Sequence, residues 1–224
     1  MQGRRVAVTG VGVVASCGIG AEAFWDGLCG HAPQGDRRVS DFDPTPHFDN
    51  PKEVRRADRC TQFAIAASDM ALEQAGDLVA DPLRRGVLIG TGIGGIETLE
   101  TQIKVMVDKG ERRVSPFLVP MMMPNAAPAA VSMRHGFQGP AENTCTACAA
   151  GTHAIANAAR MIAHDRCDVV LAGGSEAPFV QAAIAGFTNM TALSSSGVSR
   201  PFDADRDGFV MGEGAGVLVL EEWD

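Results

Sequence analysis

Cys148 is the residue of this sequence best placed for covalent chemistry. It stands within Glu142 to Ala163, ENTCTACAAGTHAIANAARMIA. The short stretch 143–147 is rich in Thr and Cys and reads as a strand, and the alanine-rich run after Cys148 reads as a helix. A cysteine at that junction meets a helix N-terminus, whose unpaired N–H groups and partial positive charge stabilise a thiolate. That arrangement is a nucleophile elbow. Two other readings stand beside it. A free cysteine is often no more than a small core hydrophobe. The spacing Cys145-x-x-Cys148 also fits a redox pair or half of a zinc site. Against zinc, Cys17, Cys29, Cys60 and Cys167 supply no second pair at that spacing. Against redox, the helix start is less polar than a thioredoxin-like motif.

The helix that must carry Cys148 is apolar nearly all round. Its polar stripe is narrow, with His153, Asn157 and Arg160 sharing one face. Such a helix is expected to be buried on most sides, and its alanines let neighbouring elements approach closely.

Composition narrows the function classes. The chain has 224 residues, 46% hydrophobic and 21% charged, with a formal net charge of −8. That length suits one large domain or two small ones, and the acidic balance argues against nucleic acid as a partner. Tyrosine is absent and glycine counts 26, so the core must be built of Val, Ile, Leu, Ala and Met. Six scattered cysteines suit reduced thiols in a cytoplasmic setting rather than a disulfide framework. No apolar run approaches the roughly 18 residues of a membrane-spanning helix. Arg4 and Arg5 followed by Val14-Ala15-Ser16-Cys17 imitate a lipoprotein cleavage site. The run between them is short and broken by Thr9, Gly10 and Gly12, and reads instead as a buried strand ending in a glycine turn.

In chain order, a strand is expected at Arg5–Thr9. The following Gly10-x-Gly12-x-x-Ala15 has the look of a dinucleotide fingerprint. It lacks the second strand and acidic residue that such a unit needs within about thirty residues. A helix over Ala21–Leu28 leads to a long polar loop, His31 to about Pro51. Basic residues Lys52, Arg55, Arg56 and Arg59 then precede an amphipathic helix ending near Gly76, with Cys60, Phe63, Ala64, Ala67, Met70 and Ala71 on its inner face. Positive charge at a helix start opposes the macrodipole, which favours a docking patch for something acidic over a merely solvated face.

Gly86–Gly90 reads as a strand buried on both faces. The glycine cluster 91–95 after it lets a backbone or a ligand come close, but lacks the Lys-Ser/Thr of a phosphate loop. A helix over Ile96–Lys109 is expected to turn Ile96, Leu99, Ile103 and Met106 inward, and Lys109, Arg112 and Arg113 make a second basic group. An irregular segment with Met121, Met122 and Met123 runs to a helix capped by Asn125. Asp168–Ala172, closed by Gly173-Gly174, is another buried strand. Strands that end in glycine and lead into helices indicate α/β architecture with a mainly parallel sheet. Asp203, Asp205, Asp207 and Gly208 imitate an EF-hand loop, yet its twelfth position is Gly214 rather than Glu.

Five motifs in this order are specific together. They are Val8-Thr9-Gly10-x-Gly12, Gly90-x-Gly92-Ile93-Gly94-Gly95, Thr146-Ala147-Cys148, Ala172-Gly173-Gly174-x-Glu176, and Arg200-Pro201-Phe202-Asp203 through Gly208-Phe209 to Gly216. By them the chain resembles the N-terminal half of the β-ketoacyl-acyl-carrier-protein synthases, of the elongating, type II-like kind. The resemblance implies a thiolase-like α/β fold layered α-β-α-β-α, with residues 1–224 as its N-terminal domain and the C-terminal half outside this sequence. It implies a decarboxylative Claisen condensation of acyl- with malonyl-carrier protein in fatty-acid or polyketide synthesis, with Cys148 accepting the acyl chain as a thioester.

It further implies Ile93 as the gate of the acyl pocket, Phe187 as a lining residue, and Lys52, Arg55, Arg56, Arg112 and Arg113 as the docking site for acidic acyl carrier protein. Thr191 stands where relatives carry a further basic docking residue. Neither cofactor nor metal is implied. The expected partners are acyl carrier protein and a second copy or a related synthase subunit, with no nucleic acid and no membrane. Relatives bring two histidines, a lysine and a Gly-Phe-Gly-Gly loop from their second half, and His153 and His164 are expected to lie away from the elbow. The chain alone is therefore expected not to condense. A non-catalytic carrier-binding or partner subunit, and half of a split synthase, are the alternative readings.

Overall fold

The computed structural model describes residues 3–30 and 35–223. The polar loop expected from His31 begins outside them, at 31–34. In chain order the elements are β1 (Val6–Ala15), β2 (Gly18–Ile19), α1 (Ala21–Cys29), α2 (Pro51–Val54), α3 (Arg59–Ala75), β3 (Arg85–Gly90), α4 (Ile96–Lys109), α5 (Leu118–Met122), α6 (Ala126–His135), β4 (Ala141–Glu142), α7 (Ala150–Ala163), β5 (Val169–Glu176), α8 (Gln181–Asn189) and β6 (Gly214–Glu222). Among the described residues the strands form one sheet in the order β2-β1-β6-β5-β3-β4. The sheet is mixed rather than mainly parallel. β4, β3 and β5 run parallel, whereas β6 lies antiparallel between β5 and β1, and β2 returns as a hairpin on β1.

Helices cover the sheet on both faces. On one side Phe63, Ala64, Ala67 and Ala71 of α3, with Val131 of α6, pack on Val14, Val87, Ile89, Leu171, Val217 and Val219. On the other side Ala154, Ala158, Met161 and Ile162 of α7 pack on Leu88, Val170, Ala172 and Leu220. Central strands buried on both faces explain the continuous apolar runs. α3 starts on a buried carboxylate: Asp58 accepts from the Cys60 N–H at 3.1 Å, and from the Thr98 N–H and hydroxyl at 2.9 and 2.6 Å. One side chain thus caps α3 and ties it to α4.

Several sequence expectations are corrected, mostly because glycine here serves close packing rather than turning. β1 does not stop at Thr9 in a glycine turn. A Cβ on Gly10 would sit 2.0 Å from the Ala71 carbonyl oxygen, and one on Gly12 1.8 Å from that of Ala67, so the strand continues with bare backbone under α3. β5 likewise runs through Gly173-Gly174 to Glu176, because Gly173 lies on the Gly216 backbone of β6 and Gly174 on Gly151 of α7. Lys52 lies in α2, a helix of its own, so the basic residues 52–56 do not start α3. Met121 and Met122 are helical within α5. Asn125 stands at the α6 N-cap without a side-chain hydrogen bond. Ile103 and Met106 of α4 are 46% and 43% exposed rather than inward, since α4 lies along the rim and buries only Thr98.

Gly12→Ala should destabilise the fold by at least about 1–3 kcal/mol through overpacking against α3. Exposed Gly186 in α8 has nothing within 4 Å of a Cβ position, and Gly186→Ala should stabilise by roughly 0.5–1 kcal/mol. Thermal melts, which move about 2–4 °C per kcal/mol in a chain of this size, check both signs.

Candidate functional site

The Cys148 region differs from the expected strand. Only Ala141–Glu142 pairs with β3, and residues 143–149 form an irregular connection. β4 ends early because the next side chains turn to the neighbouring backbone. Asn143 Nδ2 donates to the Ile89 carbonyl at 2.7 Å, the Thr91 N–H donates to the Thr144 carbonyl at 3.3 Å, and the Cys145 thiol donates to the Gly92 carbonyl at 3.6 Å. The chain then reverses at Ala147, a non-glycine residue at φ 51°, a conformation that costs energy for a residue with a Cβ. The Ala149 and Ala150 N–H groups donate to Thr146 and Ala147 carbonyls at 3.2 and 3.0 Å, and α7 follows with no side chain capping it. Cys148 projects from this reversal, exposed and free.

The elbow is seated on the sheet by glycine. A Cβ on Gly90 would stand 2.4 Å from the Ala150 carbonyl carbon, and one on Gly174 2.9 Å from the Gly151 Cα. The first turn of α7 therefore rests on the carboxyl ends of β3 and β5, the edge where open α/β sheets place their ligands. His153 is nearer the elbow than the sequence suggested: its Nδ1 lies 2.8 Å from the Thr146 hydroxyl. His164 caps the far end of α7.

Cys148, Ile93 and Phe187 border one cavity of about 810 Å3, whose walls are mainly apolar. Phe187 of α8 meets the Phe209 ring edge-on, with centroids 5.3 Å apart. Among the described residues the charged side chains on this cavity are Glu176 and Glu213, and no histidine, lysine or arginine borders it. Glu213 is held by Arg59 at 2.9 Å and by the Val39 N–H at 2.9 Å. Arg59 thus belongs to this internal pair, not to the outer basic group. Glu176, quoted in a motif but assigned no role from sequence, ends β5 beside the glycine cluster. Burial, with Asp58 nearby, raises its carboxyl above the ordinary range. Its signal was a lone carboxylate closing a continuous apolar strand. The glycine cluster itself cradles backbone: Gly94 and Gly95 lie against Met121–Pro124.

The basic residues lie elsewhere. Lys52, Arg55 and Arg56 are exposed on and just after α2, and Arg112 and Arg113 are exposed in a single 3-10 turn at Glu111–Arg113. The Arg56 guanidinium stacks on the Phe117 ring at 4.4 Å, and Arg55 and Ser115 line the same small cleft. The segment that follows Arg112 and Arg113 is thereby packed against Arg55 and Arg56. A second cavity of about 800 Å3 opens between α2, α3 and α6, and Cys148 does not border it. Of the other cysteines, burial raises the thiols of Cys60 and Cys167. The EF-hand look-alike is a serine-held turn, in which Asp207 accepts from Ser194, Ser195 and Ser196 at 2.8 to 3.1 Å. No helix among the described residues is long and apolar enough to cross a membrane.

Comparison with known proteins agrees with this geometry. The family profile described as "Beta-ketoacyl synthase, N-terminal domain" matches residues 30–224. The 3-oxoacyl-[acyl-carrier-protein] synthase 2 of Rhizobium meliloti is 42% identical over 98% of this chain and 59% of its own length. That of Synechocystis is 42% identical over 99% of this chain and 58% of its own. The chain thus spans about three-fifths of these relatives. The solved ishigamide ketosynthase/chain length factor superposes with a TM-score of 0.88 at 29% identity, covering 99% of this chain and 59% of that one. A type II polyketide ketosynthase, solved with its acyl-carrier protein and bound to the hexaketide, gives 0.82 at 29% identity over the same shares. The chain belongs to the β-ketoacyl synthase family, which it matches over that family's N-terminal domain, with the thiolase-like α/β fold of the solved ketosynthases.

Proposed function

We propose that this chain carries the acyl-accepting part of a β-ketoacyl-acyl-carrier-protein synthase, with Cys148 as the nucleophile. One observation carries the reading: Cys148 projects from a strained reversal at the mouth of an apolar cavity of about 810 Å3. Its Sγ attacks the thioester carbonyl of an acyl-carrier protein, the carrier thiol leaves with a proton, and the chain is held as a Cys148 thioester. Apolar walls at Ile93 and Phe187 accept the alkyl chain. In the second half-reaction a malonyl thioester loses carbon dioxide, and its α-carbon bonds to the acyl carbon. The Cys148 S–C bond then breaks, which leaves a chain two carbons longer. With no histidine or lysine bordering the cavity among the described residues, the groups that activate the malonyl thioester are assigned to the part of the family's length that this chain does not span.

Lys52, Arg55, Arg56, Arg112 and Arg113 form the docking face for the acidic carrier, which attracts it across solvent while the cavity receives the cargo. The setting is cytoplasmic. The partner across the rim is a second copy or a related synthase subunit, because Ile103, Met106 and Val107 of α4 are 46%, 43% and 75% exposed, a run of apolar surface suited to an interface.

Three outcomes test the proposal. Acyl thioesters and thiol reagents near neutral pH should modify Cys148 and spare Cys60 and Cys167, and Cys148→Ser should abolish acyl uptake; mass mapping of modified peptides reads this directly, and acylation undiminished by that substitution refutes the assignment. Reversing Arg55 and Arg56 to Glu should weaken carrier binding roughly tenfold at low salt. The loss should shrink as salt screens the attraction, whereas unchanged binding at low salt leaves the patch a solvated face. The 224-residue chain, supplied with acyl- and malonyl-carrier protein, should acylate without extending the chain, since no histidine or lysine borders the cavity among the described residues to activate the malonyl thioester. Product analysis with and without an added C-terminal half distinguishes the cases.

A further inference from the structure

Glu176 borders the Cys148 cavity from the end of β5. Its Oε2 accepts from the Gly92 N–H at 2.7 Å, and its Oε1 from the Thr91 hydroxyl at 3.0 Å. The Thr91 Oγ1 in turn accepts from the Ile93 and Gly94 N–H groups at 3.4 and 3.0 Å. The amides of three successive residues therefore converge on one carboxylate and one hydroxyl. The remaining ties of this segment are to neighbouring backbone: Thr91 N–H to the Thr144 carbonyl, and Gly95 N–H to the Met122 carbonyl at 3.2 Å. Cys145, three residues before the nucleophile, closes the set by donating to the Gly92 carbonyl.

The carboxylate is an expensive choice for an anchor. Its partners are the Gly92 amide and the Thr91 hydroxyl rather than a basic side chain, and burial raises its carboxyl above the ordinary range. With the folded value above the unfolded one, ionisation of Glu176 favours the unfolded chain as pH rises through that raised value. A glutamine would fill the same space without that cost. What the charge adds is strong, simultaneous acceptance from both Thr91 and Gly92.

We propose that Glu176 is a positioning residue for acyl-chain selection: it fixes the 91–95 loop, and with it the Ile93 side chain, as the wall along which an acyl chain must lie to reach Cys148. This rests on Cys148 as acyl acceptor. Removing the anchor leaves α7 seated behind the nucleophile, because Gly90, Gly151 and Gly174 hold its first turn on the sheet through contacts that do not involve the Glu176 side chain. A compact reagent thus meets the same thiol, whereas a long chain meets an unfixed wall.

The test compares Glu176→Ala and Glu176→Gln with the wild-type 224-residue chain. Amide hydrogen exchange over 91–95 should quicken about tenfold in the alanine variant, the size expected for losing charge-assisted hydrogen bonds. Alkylation of Cys148 by iodoacetamide should stay within about twofold, while the ratio of hexadecanoyl to acetyl transfer from N-acetylcysteamine thioesters should fall at least about fivefold. Glutamine keeps one acceptor oxygen and should lie between, with a melting temperature at pH 7 equal to or above wild type. It carries the test should the alanine variant fail to fold. Unchanged exchange over 91–95 overturns the anchor, and quickened exchange with an unchanged transfer ratio overturns the selection role. A wild-type chain that takes up neither acyl group refutes the acyl-acceptor reading and the selection role with it, and the anchor is then decided by exchange alone.

Discussion

The first turn of α7 lies on bare backbone. Gly90 and Gly174 present no side chain to it, and Gly151 presents none in return, so helix and strands meet at a distance that a single methyl group would prevent. The rest of the site follows from that contact. It fixes the height of the helix above the sheet and forces the chain from β4 to climb and reverse within a few residues. The reversal falls on Ala147 at φ 51°, and Cys148 is delivered to the sheet's carboxyl edge. Strain at one residue is sustained because the packing on either side admits no alternative.

The same device recurs across the fold, which is why it was only half visible in the sequence. β1, β3 and β5 were recognisable by their apolar runs, and the ends of α3, α4 and α7 by composition and glycine. A glycine within an apolar run, however, supports two readings, a turn or a close approach, and one sequence does not separate them. Gly10, Gly12, Gly173 and Gly174 were all read as turns, and the structure uses all four as contact surfaces beneath helices or beside strands. Strand direction was hidden for another reason. β6 inserts between β5 and β1, and a strand's polarity depends on a long-range pairing that local pattern does not record.

The chemistry was legible unevenly. Cys148 stood out because a cysteine between β-prone residues and a run of small helical residues is a local signature. Ile93 and Phe187, far apart in sequence, came from family likeness, and the structure brings both to the Cys148 cavity. Glu176 and Thr91 stayed silent because their effect depends on a network among loop amides, and such a network has no spacing rule. The inward face assigned to α4 failed through the assumption that an apolar stripe must meet its own core. Ile103 and Met106 obey helical periodicity perfectly well, but the surface they face is outside this chain's packed interior.

The two kinds of wall around Cys148 have different freedom to vary. Beneath it the contacts are backbone on backbone, where substitution of any glycine moves a helix. Across from it the cavity is closed by side chains on loops and short helices, Ile93, Phe187 and Phe209, which can change size without moving the thiol. A lineage can therefore reshape the cavity by drift in a few loop residues while the Cys148 thiol stays fixed. An engineer reshaping that cavity has the same division of labour to work with.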